Sequence, residues 1–150
     1  MKLLASSRSA GKVVEFENYK FTVEELTEDS FEGIDVAFWS AGGSISAKYM
    51  PYAIKAGCIN IDNTSHFRMD PDVPLVVPEV NAEALKTHKG IIANPNCTTI
   101  QMVSALNRLN EYFDIERIIV STYQAVSGAG VAGMEELYRQ SQEVLDGTRA

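Results

Sequence analysis

The stretch from Ile34 to Asp62 constrains the fold more than any other part of the sequence. Ile34-Asp35-Val36-Ala37-Phe38-Trp39 is a short, mainly apolar run that stops at Ser40-Ala41-Gly42-Gly43, the pattern of a strand buried within a sheet. From Ser44 to Ala56, the residues Ile45, Tyr49, Tyr52, Ala53 and Ala56 recur at mixed three- and four-residue spacing, and Gly57 follows at a C′ position. That spacing predicts a helix, which Pro51 would kink or shorten. Cys58-Ile59-Asn60-Ile61-Asp62 then reads as another short strand. Strand, helix and strand joined by short connections argue a parallel sheet with a crossover.

The flanking sequence extends this pattern. Val13-Val14-Glu15-Phe16 and Lys20-Phe21-Thr22-Val23 read as strands around the turn Glu17-Asn18-Tyr19. Pro74-Leu75-Val76-Val77-Pro78, bracketed by prolines, runs extended, followed by a weak helix from Asn81 to His88 and a strand Gly90-Ile91-Ile92-Ala93. A helix from Thr98 to Phe113 places Ile100, Val103, Leu106, Leu109 and Phe113 on one face; Ile115 to Gln124 returns as a β-branched strand, and a further helix spans about Gly133 to Leu145. The expected class is α/β, a parallel sheet with crossover helices. No internal repeat or long charged linker interrupts it, so a domain boundary has to fall in a short connection such as the one after Phe113.

Charge and composition exclude several functions. Thirteen Lys and Arg against twenty Asp and Glu give a formal charge of -7, which leaves little material for a nucleic-acid-binding stripe. No apolar run approaches the roughly 20 residues of a membrane span, and Met1-Lys2-Leu3-Leu4-Ala5-Ser6 lacks the apolar core of a signal peptide. The chain reads as cytoplasmic. Cys58 and Cys97 are too few for a disulfide scaffold. Only His66 and His88 could accompany them, so no metal site is expected, and both histidines read as exposed loop residues.

Cys97 is the candidate nucleophile. Asn94-Pro95-Asn96-Cys97-Thr98-Thr99 joins the strand ending at Ala93 to the following helix, so Cys97 falls at a helix N-terminus, where unpaired N–H groups and the positive dipole end favour a thiolate. The same donors, with the Asn96 amide, would stabilise the oxyanion formed when a carbonyl carbon is attacked. Position alone leaves a second reading equally open, in which Cys97 is a small buried residue packing the helix start. Cys58, entering an apolar strand after Gly57, reads as structural.

The run Asn94-Pro95-Asn96-Cys97-Thr98-Thr99 closely resembles the active-site segment of aspartate-semialdehyde dehydrogenases. Ala5-Ser6-Ser7-Arg8-Ser9-Ala10-Gly11-Lys12 resembles the turn after that family's second strand, Phe38-Trp39-Ser40-Ala41-Gly42-Gly43 its cofactor-side strand end, and Ser65-His66-Phe67-Arg68-Met69-Asp70 its phosphate-binding loop. The resemblance implies a Rossmann-like, partial NADP-binding domain over residues 1–113, ending in the helix of the active-site cysteine. It also implies the start of an α+β catalytic and dimerisation domain over 114–150. In the family a cysteine attacks the aldehyde and passes hydride to NADP. The resulting acyl-thioester is cleaved by inorganic phosphate to aspartyl phosphate, on the route to lysine, threonine and methionine.

Carried onto this chain, the resemblance makes Cys97 the nucleophile and Gln124 the residue that orients substrate, with Arg68 and Asn96 binding phosphate or the acyl phosphate. Ser7, Arg8, Ser9, Ser40, Ala41, Gly42, Ser127 and Gly128 would contact NADP, and the full-length enzyme would be a homodimer or homotetramer. The residues themselves agree with parts of this. A planar guanidinium suits phosphate, although the residues alone favour reading Arg68 as a solvated loop arginine paired with Asp62 or Asp70. Ser7-Arg8-Ser9 offers hydroxyls and a guanidinium to a 2′-phosphate, where NAD enzymes present an acidic side chain, which favours NADP.

The chain also departs from the family. No G-x-G-x-x-G turn is present, and the sequence starts where the family's second strand would start. None of His66, His88, Arg139 and Arg149 matches the family's later substrate-binding arginine or acid/base histidine by local sequence, so an incomplete piece, inactive in isolation, is expected. Two other readings stand beside this one. A related acyl-phosphate reductase would show Pro-Gly-Cys or Ser-Cys-Thr-Thr at the nucleophile, against which Asn96 argues. A non-catalytic α/β binding or assembly module would lack dinucleotide binding and a reactive Cys97.

Overall fold

The computed structural model describes residues 1–148; Arg149 and Ala150, at the end of the expected second domain, lie outside them. Two compact units are present, Met1–Asp114 and a second that begins at Ile115. The first carries two three-stranded sheets rather than one continuous sheet. Strands β1 (Leu3–Ala5), β2 (Val13–Phe16) and β3 (Tyr19–Glu25) lie in the order β1-β3-β2. β1 runs parallel to β3 with Leu3 opposite Val23, whereas β2 and β3 form an antiparallel hairpin closed by Phe16 opposite Tyr19.

The second sheet holds the pattern read between Ile34 and Asp62. Strands β4 (Val36–Trp39), β5 (Ile59–Asp62) and β6 (Ile91–Ala93) are all parallel. Helix α1 (Gly43–Lys55) crosses from β4 to β5 and runs through Pro51, which sits on its exposed side. Gly57 has the left-handed φ of 86° that a C′ glycine supplies, and its N–H donates to the Ile54 carbonyl at 2.9 Å. Between β5 and β6, the expected helix from Asn81 to His88 is instead a short α2 (Pro78–Asn81) and a 3-10 turn over Ala82–Thr87. Pro78 starts α2 because the first helical position needs no N–H. The extended segment before it bridges to β6 at Leu75 and Ala93.

One face of α1 packs on this sheet. Met50 and Ala53 join Phe31, Trp39, Cys58 and Ile91 in the core, with the Phe31 and Trp39 rings stacked at 5.4 Å. Buried Asn60 is fully employed: its Oδ1 accepts from Trp39 Nε1 at 2.9 Å, and its Nδ2 donates to the carbonyls of Cys58 and Gly90. An unpaired amide there would cost about 1–3 kcal/mol.

Helix α3 (Cys97–Asn110) starts one residue before the expected Thr98 and stops short of Phe113, which is exposed together with Leu109. In the second unit, residues 115–124 do not form the expected strand. Their β-branched pattern suits a sheet, yet a strand exists only as half of a ladder, and none of the described residues supplies the other half. A 3-10 turn (Val126–Ala129) leads into α4 (Gly130–Leu145), three residues longer at its start than the sequence pattern indicated. Among the described residues, no helix is long and apolar enough to cross a membrane.

Candidate active site

The C-terminal ends of β5 and β6 lie side by side, with Asp62 in register with Ala93. The next residues continue this pairing through polar groups. The Asn94 N–H donates to the Asp62 carbonyl at 2.8 Å, and Asn94 Nδ2 donates to Asn63 Oδ1 at 2.7 Å. Arg68 closes the arrangement: its Nε donates to the Asn94 carbonyl at 2.8 Å and its Nη2 to the Asn63 carbonyl at 3.0 Å. The guanidinium therefore bonds to backbone, not to Asp62 or Asp70, which corrects the solvated ion-pair reading. Among the described residues, its Nη1 group has no protein partner.

Asp62 is unavailable because it is buried and occupied. Its Oδ1 accepts from Ser46 Oγ at 3.1 Å and from the Thr64 N–H at 2.9 Å, while Oδ2 accepts from Thr64 Oγ1 at 2.9 Å. These bonds tie the first turn of α1 to the loop that carries Arg68. Sequence reasoning passed over Asp62, Asn63 and Thr64 as site residues. The available signal was a run of short polar side chains at the end of a parallel strand, where α/β sheets place their ligand groups.

Pro95 is buried, and Asn96 is the N-cap of α3, its Oδ1 accepting from the Thr98 N–H at 3.0 Å and from the Thr98 hydroxyl. Cys97 is the first residue of α3 and is exposed, which overturns its reading as a small buried packing residue. Cys58 is 2% exposed, and burial, helped by nearby Asp35, pushes its thiol pKa up.

The residues expected at a cofactor divide between the units. Ser40-Ala41-Gly42 leaves β4 as a turn in which Gly42, at φ 102°, accepts from the N–H groups of Ile45 and Ser46. A Cβ on the adjacent Gly43 would stand 3.5 Å from the His66 Cβ, so this turn packs against the Arg68 loop. Ser40 and Ala41 also line a cleft of about 320 Å³ with Leu4, Ala37, Phe38 and Trp39. After β1, Ser7 and Arg8 lie exposed in a tight turn whose Ser9 N–H donates to the Ser6 carbonyl. Gln124, Ser127 and Gly128 belong to the second unit and are exposed there. His66 is exposed as expected, whereas His88 is half-buried and its Nδ1 accepts from the Gly90 N–H at 3.1 Å.

Parallel strands joined by a crossover helix, with polar loops gathered at their C-terminal ends, define a Rossmann-like α/β domain of the dinucleotide-binding class. The family described as semialdehyde dehydrogenase, NAD binding domain, matches residues 1–88, and that described as semialdehyde dehydrogenase, dimerisation domain, matches residues 106–150. The chain belongs to the semialdehyde dehydrogenase family.

It is 55% identical over 146 residues to the aspartate-semialdehyde dehydrogenase of Bacillus subtilis, covering 97% of this chain and 42% of that protein. The crystal structure of aspartate semialdehyde dehydrogenase II from Vibrio cholerae complexed with ASA superposes with a TM-score of 0.84 at 51% identity, over 97% of this chain and 44% of that one. The Candida albicans enzyme, solved with NADP, matches at a TM-score of 0.60 and 29% identity over 75% of this chain and 39% of that one. The chain thus spans less than half the length of these relatives.

Proposed function

We propose that this chain is the cysteine-bearing part of an aspartate-semialdehyde dehydrogenase, located in the cytoplasm, that converts L-aspartate 4-semialdehyde, phosphate and NADP to L-4-aspartyl phosphate and NADPH. Residues 1–113 serve as the NADP-binding part and 114–150 as the start of the catalytic and dimerisation part. Cys97 Sγ attacks the aldehyde carbon, and the helix N-terminal N–H groups with the Asn96 amide hold the resulting oxyanion. The hydride that this carbon loses would go to bound NADP, the oxidant of the reaction. Phosphate, held by the outer amino group of Arg68 and by Asn96, then attacks the thioester carbonyl and releases Cys97 as thiolate. Gln124 orients the substrate.

The residues fit the cofactor. The Ser40-Ala41-Gly42 turn borders an open, largely apolar cleft, and the left-handed Gly42 lets backbone approach a ligand closely. Ser7, Arg8 and Ser9 would receive the 2′-phosphate, and Ser127 and Gly128 are proposed as further NADP-contacting residues. A nicotinamide cofactor is supported by the family match, and NADP by the relative solved with it. The dimerisation-domain match supports assembly as a homodimer or homotetramer.

The observation that carries the proposal is an exposed cysteine on the N-terminus of α3, in a loop that Arg68 ties to the neighbouring strand end. It is tested by substituting residues 1–150 for the matching segment of the Bacillus subtilis relative. The hybrid should form NADPH from aspartate semialdehyde only when phosphate is present, and Cys97→Ser should lose nearly all of that activity, because a serine hydroxyl stays protonated and is a poorer leaving group. Undiminished turnover by the serine variant would refute the nucleophile.

A further inference from the structure

We propose that Asn94 is a positioning residue for the Cys97 nucleophile, held by its side-chain bond to Asn63 and by Arg68; the inference rests on the nucleophile reading above. Asn94 is fixed at three points: its N–H on the Asp62 carbonyl, its Nδ2 on Asn63 Oδ1, and its carbonyl under Arg68 Nε. Arg68 also grips the Asn63 carbonyl, so Asn63, Arg68 and Asn94 form a closed ring of hydrogen bonds across two strand ends. From Asn94 onward the chain has little freedom. Pro95 is buried with its φ set by its ring, and Asn96 is locked as the N-cap by Thr98. Wherever the ring holds Asn94, Cys97 follows.

As it stands, Asn94 Nδ2 is the donor and Asn63 Oδ1 the acceptor. Ionised aspartate accepts but does not donate, so Asn63→Asp keeps the bond. Asn94→Asp does not break it outright, because the Asn63 amide can turn over and donate through its Nδ2. Asn94→Ala removes the bond whichever way the amides face.

The test measures iodoacetamide labelling of each cysteine in the 150-residue chain at neutral pH, resolved by peptide mass. Buried Cys58 serves as the gauge of folding, since it labels only when the core opens. Asn94→Ala should slow Cys97 by about fivefold, the equivalent of one ordinary hydrogen bond, while Asn63→Asp leaves the rate within about twofold of wild type. Cys58 should stay protected in both. If Asn94→Ala exposes Cys58, Asn94→Leu, which fills a similar volume without a donor, supplies the comparison with the same expected slowing. Equal slowing by Asn94→Ala and Asn63→Asp, or no slowing by either Asn94 variant, overturns the positioning role. A wild-type Cys97 that labels no faster than in urea-unfolded chain instead overturns the nucleophile assignment beneath it.

Discussion

Cys97 and Cys58 are chemically identical side chains in opposite settings. Their places were legible from local pattern, one cysteine between an Asn cap and a helix and the other at the entry of an apolar strand. So was the burial of Cys58; the exposure of Cys97 was not, because a helix start by itself does not say what covers it. Burial holds the Cys58 pKa above its usual value, so it remains a neutral thiol at pH values where an exposed cysteine is already reacting. Because the native state retains this proton more tightly than the unfolded chain, Cys58 contributes stability below the unfolded thiol pKa and loses it as pH rises through the higher native one. Native chain titrated from pH 7 to 9 should label Cys97 first throughout; Cys58 reacting first would contradict the structure. Arg68 was less legible. The sequence offered Asp62 and Asp70 as partners, but the guanidinium binds two backbone carbonyls, and a carbonyl carries no residue identity for sequence reasoning to detect.

At the scale of elements, β4, α1 and β5 were readable because each is specified within its own residues: apolar run, helical spacing, closing glycine. Gly57 tests that claim. No atom lies within 4 Å of a Cβ built there, so Gly57→Ala meets no clash and costs only the left-handed backbone, about 1–2 kcal/mol. The urea midpoint should fall with an unchanged slope. An unchanged midpoint would mean that the helix closes without a left-handed residue. Elements that need a partner were not readable in this way. Residues 115–124 have strand composition but no ladder among the described residues, and the expected single sheet is two, since periodicity specifies a strand's faces and not its neighbours.

For the whole molecule, the family assignment rests on matches that span both units, while the chemistry proposed for it converges on one side chain. The measurement closest to that chemistry is acylation of the 150-residue chain by 4-aspartyl phosphate, the acyl-transfer half of the reaction run in reverse. Cys97 Sγ attacks the carbonyl carbon, inorganic phosphate leaves, and no cofactor takes part. The expected product is a single acyl group on the Cys97 peptide, released by hydroxylamine and absent from Cys97→Ser. An unmodified Cys97 peptide, or an acyl group carried by Cys58 instead, would contradict the assignment of Cys97 as the thioester-forming residue.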